Sequence, residues 1–138
     1  MILCIETGTY ICSVGLARDG ELISLRESDE GRDHAKRLGV FVDELLRETG
    51  VMPDELDAVA VGKGPGSYTG LRVGVSTAKG LCFGACIPLL AVGTLDTLVA
   101  QEIATAPAEN SNEYRFIIPM IDARRMEVYT AVFEDGKQ

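Results

Sequence analysis

The chain has 138 residues, 46% of them apolar and 25% charged, the make-up of one globular domain with a core of its own. Lys plus Arg number 13 against 21 Asp plus Glu, and the net charge of −8 disfavours direct binding to DNA or RNA without a partner. No apolar run approaches the ~20 residues that span a bilayer, and Met1-Ile2-Leu3-Cys4-Ile5 lacks the basic stretch that opens a secretory signal, so a cytoplasmic protein away from membranes is expected.

Ile2–Ile5 reads as a first strand ending in the polar turn Glu6-Thr7-Gly8-Thr9, and Ile11–Ala17 as a second. Arg18-Asp19-Gly20 is a hairpin turn, because Asp-Gly accepts the positive φ that such turns require. Glu21–Glu27 returns as a third strand. Asp33 is placed to cap a helix in which Leu38, Phe41, Val42, Leu45, Leu46 and Thr49 recur at helical spacing, and Gly50 suits its end. Ala58–Val61 is too uniformly apolar for a half-exposed strand and reads as a buried parallel one. A small-residue helix follows from about Leu71 to Gly84, then a strand over Ile87–Val92. Thr94 is placed to cap a helix reaching about Ala106, residues 107–114 form a polar linker, and Arg115–Ile121 and Glu127–Phe133 are two more strands. The alternation of strands and helices predicts an α/β domain, made mixed by its opening hairpin. Cys4, Cys12, Cys82 and Cys86 all lie in apolar stretches and are expected as buried, reduced thiols. No His or further Cys stands near the Cys82–Cys86 pair to complete a metal site, and no metal is expected.

Between Val61 and Leu71 stands Gly62-Lys63-Gly64-Pro65-Gly66-Ser67-Tyr68-Thr69-Gly70. A glycine-rich corner between strand and helix can receive either an anion or another backbone. Walker A spacing fails because Gly64 follows Lys63, and the dinucleotide fingerprint fails because Ser67 stands where its third glycine belongs. The chain also repeats itself. The offset that carries Glu6 onto Asp122 carries Asp19-Gly20 onto Asp135-Gly136 with no gap, and Val14 and Leu16 onto Thr130 and Val132. That pattern predicts a domain over 1–106, a linker over 107–114, and the first hairpin of a duplicated, incomplete second domain over 115–138.

Gly62 to Arg72 resembles the G-x-G-P-G-S-[FY]-T-G-[LVI]-R signature of the TsaB (YeaZ) family, and Ile121-Asp122-Ala123-Arg124-Arg125-Met126-Glu127-Val128-Tyr129 resembles its second signature, I-D-A-R-x-x-E-V-Y. Ile5-Glu6-Thr7, Cys12-Ser13-Val14 and His34 also fit, with Glu6 where that family usually has Asp. The resemblance implies an actin-like (ribonuclease H-like) mixed sheet with flanking helices. It also implies a cytoplasmic, non-catalytic subunit of the machinery that makes threonylcarbamoyladenosine at position 37 of tRNA. The implied partners are a TsaD-type catalytic subunit, a TsaE-type ATPase and a second copy of the chain, with tRNA met only indirectly and no membrane involved. Relatives of this kind were once described as glycoprotease-like.

The alternative within the same superfamily is a small-molecule kinase, which needs a phosphate loop in each domain and acids for Mg²⁺. Glu6, Thr7, Gly8, Gly64, Gly66 and Ser67 are the residues that would meet a nucleotide. The second turn, Asp122-Ala123-Arg124-Arg125, has no glycine and two arginines and makes a poor cradle. No tightly bound cofactor is therefore expected, and ATP or ADP with Mg would bind only weakly or within a complex. With His34 the one histidine, neither a zinc peptidase nor a serine triad at Ser67 has support, and no catalytic residue is expected. The partner-binding surface is expected on the two helices, at Leu38, Phe41, Val42, Leu45, Gly74 and Ala78, with Tyr68 and Arg72 reaching outward.

Overall fold

A computed structural model describes residues 1–29, 34–105 and 116–134. Its centre is a five-stranded sheet of order β3-β2-β1-β4-β5, built from β1 (Ile2–Glu6), β2 (Cys12–Arg18), β3 (Glu21–Ser28), β4 (Ala58–Gly62) and β5 (Leu89–Val92). The opening hairpin is antiparallel, and β4 and β5 run parallel to β1. Asp19 at φ 53° and Gly20 at φ 86° close the β2–β3 turn, as the Asp-Gly pair predicts.

Side chains alternate across a strand, so Leu3 and Ile5 share one face with Val14 and Leu16 on β2 and Val59 and Val61 on β4. Helices α1 (His34–Thr49) and α2 (Tyr68–Ala85) cover that face. Helix α1 lies on β2 and β3, α2 on β1 and β4, and the two touch each other. Fully burying each leucine of this core is worth ~1.5–3 kcal/mol. Helix α1 ends as its Gly50 predicts. Gly50, at φ 68°, donates its N–H to Arg47 O at 3.3 Å and Val51 donates to Leu46 O at 3.1 Å, the two bonds of a Schellman cap. The expected cap Asp33 and the helix end at Ala106 lie outside the described residues.

Three boundaries differ from expectation. Helix α2 starts at Tyr68 rather than Leu71, because Ser67 caps it by accepting the Gly70 N–H. Strand β5 starts at Leu89 rather than Ile87, because the Ile87 N–H is taken by Cys82 O and Pro88 has none to donate. Helix α3 (Thr94–Thr105) includes Thr94 instead of being capped by it. Gly93 O accepts from Thr97, and the buried Thr94 hydroxyl has no hydrogen-bond partner among the described residues.

The expected closing strands are each split in two. Strands β6 (Phe116–Ile117) and β7 (Met120–Arg124) pair with β9 (Phe133–Glu134) and β8 (Glu127–Thr130) in one antiparallel register. Pro119 cannot donate to the ladder and interrupts it, while Thr130 Oγ1 donates to Pro119 O at 2.8 Å across the break. The first strand of this hairpin matches the start of the chain. Pro119 is buried and Ile121 half-buried, as Leu3 and Ile5 are buried. The second strand corrects the gapless alignment. Ser13 faces Glu6, but Val128 rather than Tyr129 faces Asp122. The tip is one residue shorter, so Ala131 rather than Val132 stands where Leu16 does, and Val132 is 57% exposed while its neighbour Phe133 is buried at 2%. Asp135-Gly136 lies outside the described residues. Among the described residues, no helix is long and apolar enough to cross a membrane.

Candidate functional site

The glycine corner receives a backbone. Gly8 O accepts the Ser67 N–H at 2.7 Å, and a Cβ added at Gly66 would stand 2.3 Å from that same oxygen. Glu6 Oε1 accepts the Gly8 N–H at 2.5 Å, and its other oxygen lies where a Cβ at Gly62 would be, 2.2 Å away. Thr7, 1% exposed, donates to Gly70 O at 2.8 Å, and a Cβ at Gly74 would fall 2.2 Å from its hydroxyl. Gly64, at φ +100°, accepts from Thr94 N, and Lys63 donates to Val92 O. Glu6, Thr7, Gly8, Gly64, Gly66 and Ser67 thus come together, but each of these glycines has a contact inside the chain that explains it. Asp122 repeats the Glu6 arrangement, accepting the Arg124 N–H two residues on at 2.7 Å.

The expected partner-binding set is corrected in part. Leu38, Val42 and Leu45 are 1%, 6% and 0% exposed, and Phe41 packs against the core beside them. An apolar stripe on a helix that covers a sheet is spent on that sheet, so in this chain these residues face the core rather than the surface. Gly74 and Ala78 also face inward, Gly74 against Thr7. Tyr68 is 75% exposed, and the Arg72 guanidinium sits over its ring at 5.6 Å, so these two do reach outward. The outward side of α2 carries Ser76, Gly80 and Phe83, with Phe83 89% exposed, while α1 shows Gly39 and Val40. A Cβ at Gly39, Gly80 or Gly84 would meet nothing within 4 Å among the described residues. Sequence reasoning missed this surface, although mid-helix glycines beside a phenylalanine were its signal.

Cys12 and Cys82 are buried as expected, but Cys4 and Cys86 are exposed. Cys4 points to the sheet face opposite Leu3 and Ile5, and Cys86 stands past the end of α2 at φ 56°. Burial pushes the Cys12 thiol pKa up, with Arg37 pulling the other way. Beside the corner lies a cleft of about 420 Å³, lined by Gly8–Tyr10, Gly66–Thr69 and, from the β7–β8 hairpin, Ile121–Arg124 and Tyr129. The hairpin tip holds Arg124, Arg125 and Met126 at φ 67°, 55° and 66°.

The strand order, with an acid closing the first strand and helices over one face, defines an actin-like (ribonuclease H-like) fold. The same fold is found in Thermus thermophilus RuvC, at a TM-score of 0.50 and 17% identity over 75% of this chain and 69% of that one. A profile described as TsaD, tRNA N6-adenosine threonylcarbamoyltransferase, matches residues 28–138. The tRNA threonylcarbamoyladenosine biosynthesis protein TsaB of Haemophilus influenzae is 38% identical over 128 residues, covering 93% of this chain and 51% of that protein. YeaZ from Pseudomonas aeruginosa superposes with a TM-score of 0.83 at 33% identity, over 99% of this chain and 62% of that one. The chain belongs to the TsaB (YeaZ) family. It spans about half the length of the curated relatives it matches.

Proposed function

We propose that this chain is the non-catalytic subunit that binds and activates a TsaD-type enzyme in forming threonylcarbamoyladenosine on tRNA. The observation that carries this reading is the bare outer face of α1 and α2. Phe83 stands there at 89% exposure, and Gly39, Gly80 and Gly84 have open space where a side chain would go. Each helical glycine costs ~1 kcal/mol relative to alanine, and nothing among the described residues offsets it. A partner helix approaching closely would. The same face serves a second copy of the chain, and a TsaE-type ATPase joins the assembly. Residues 1–106 form the partner-binding domain and residues from 115 begin a second one, in the cytoplasm.

The reading of the chain as non-catalytic rests on the corner. The backbone of Gly8 fills the space that Gly66 leaves open, and Glu6, engaged by the Gly8 N–H, fills that of Gly62, so a nucleotide would have to displace both. Light scattering of this chain mixed with the TsaD-type protein of its own organism tests the proposal. A stable complex is expected, lost in Phe83→Asp while the circular dichroism spectrum stays unchanged. Failure to associate would overturn it in favour of a free-standing homodimer, and tight Mg·ATP binding with turnover by this chain alone in favour of the small-molecule kinase.

A further inference from the structure

Three of the four tyrosines of the chain, Tyr10, Tyr68 and Tyr129, line the cleft beside the glycine corner. Tyr10 and Tyr68 are each 75% exposed and Tyr129 44%, so these rings are not spent on the core. The Arg72 guanidinium stands over the ring of Tyr68, and Arg124 lines the cleft from the β7–β8 hairpin. Single-stranded RNA is recognised by this combination, because every base has a face that stacks on an aromatic ring or a guanidinium plane. The cleft, at about 420 Å³, takes a group the size of one nucleotide, whereas a partner helix with its side chains is ~10 Å across and cannot enter.

We propose that this cleft stacks one unpaired nucleobase of the tRNA on its tyrosines, with Arg124 facing the adjoining phosphate. That RNA is the occupant rests on the functional reading above. The net charge of −8 agrees with a site that takes a single base while the partner carries the phosphate backbone. The contact therefore goes beyond the purely indirect role expected for tRNA.

A pentaribonucleotide with 2-aminopurine at its centre tests this, titrated with the full chain alone, so the result stands whether or not the partner complex forms. Saturable quenching is expected. It should weaken about 5- to 100-fold in Tyr10→Ala and in Tyr68→Ala, survive in Tyr68→Phe, and vanish when the probe is annealed to its complement. The logarithm of affinity should fall with the logarithm of salt at a slope of about −0.7, the value for one phosphate on a single strand. Because both rings are exposed, the alanine variants remove no core contact. The proposal is overturned by absence of saturable quenching, by equal binding of the duplex, or by alanine variants that bind like the parent chain. It is also overturned if adenosine monophosphate binds and the pentamer does not, which would assign the cleft to free nucleotide. Tyrosine variants that lose the protein partner and keep the RNA would assign it to a protein.

Discussion

Gly74 and Thr7 meet where the first strand's turn runs under α2. Thr7 is β-branched, buried and hydrogen-bonded to Gly70 O, so its hydroxyl cannot swing away from a new Cβ. Gly74→Ala should cost ~1–3 kcal/mol in urea unfolding. Thr7→Ala combined with it should cost less than the two single changes together, since the clash is removed with the hydroxyl. The cysteines give a second check. Cys86 is exposed, whereas Cys12 is enclosed and its thiol is held protonated further up the pH scale than an ordinary cysteine. Mass spectrometry after iodoacetamide at pH 8 should find Cys86 modified first and Cys12 protected. Raising the pH through ~9 should not expose Cys12 while the chain stays folded, because the unfolded thiol ionises before the folded one.

Ser67 joins the corner to the helix. Its side chain satisfies one of the free N–H groups at the start of α2, so Ser67→Ala should lower stability by ~1 kcal/mol, read as a fall in Tm of about 3–5 °C. The cap was legible as a serine three residues before Gly70, yet a start at Leu71 followed from giving every residue of the glycine run to the loop. Strands were read well where a single rule decided them. Asp19-Gly20 specified its turn, and the apolar run at 58–61 specified a buried parallel strand. Reading failed where tertiary context chose. Helical periodicity finds the stripe of Leu38, Val42 and Leu45 but cannot say whether a sheet or a partner covers it. The register of the β7–β8 hairpin was illegible for a related reason. One residue fewer at the tip reverses which faces of the second strand point inward, and composition barely changes.

For the molecule as a whole, stability and assembly should pull in opposite directions on the outer helix face. Gly80→Ala enters open space and removes the penalty of a helical glycine, so the isolated chain should gain up to ~1 kcal/mol in thermal unfolding. The same methyl should weaken the complex with the TsaD-type subunit in isothermal titration calorimetry. A gain in both would remove the packing argument for that face. The interlock between the first turn and the glycine corner also bears on synthesis. Thr7 bonds across 63 residues to Gly70, and Gly64 is held by Thr94. The seat of the second helix and its corner is therefore complete only once residue 94 has left the ribosome. Contacts between such distant residues form late and slowly. The helix face proposed for the partner is thus one of the last surfaces of the domain to appear, and a partner that recognises it selects chains that have finished folding.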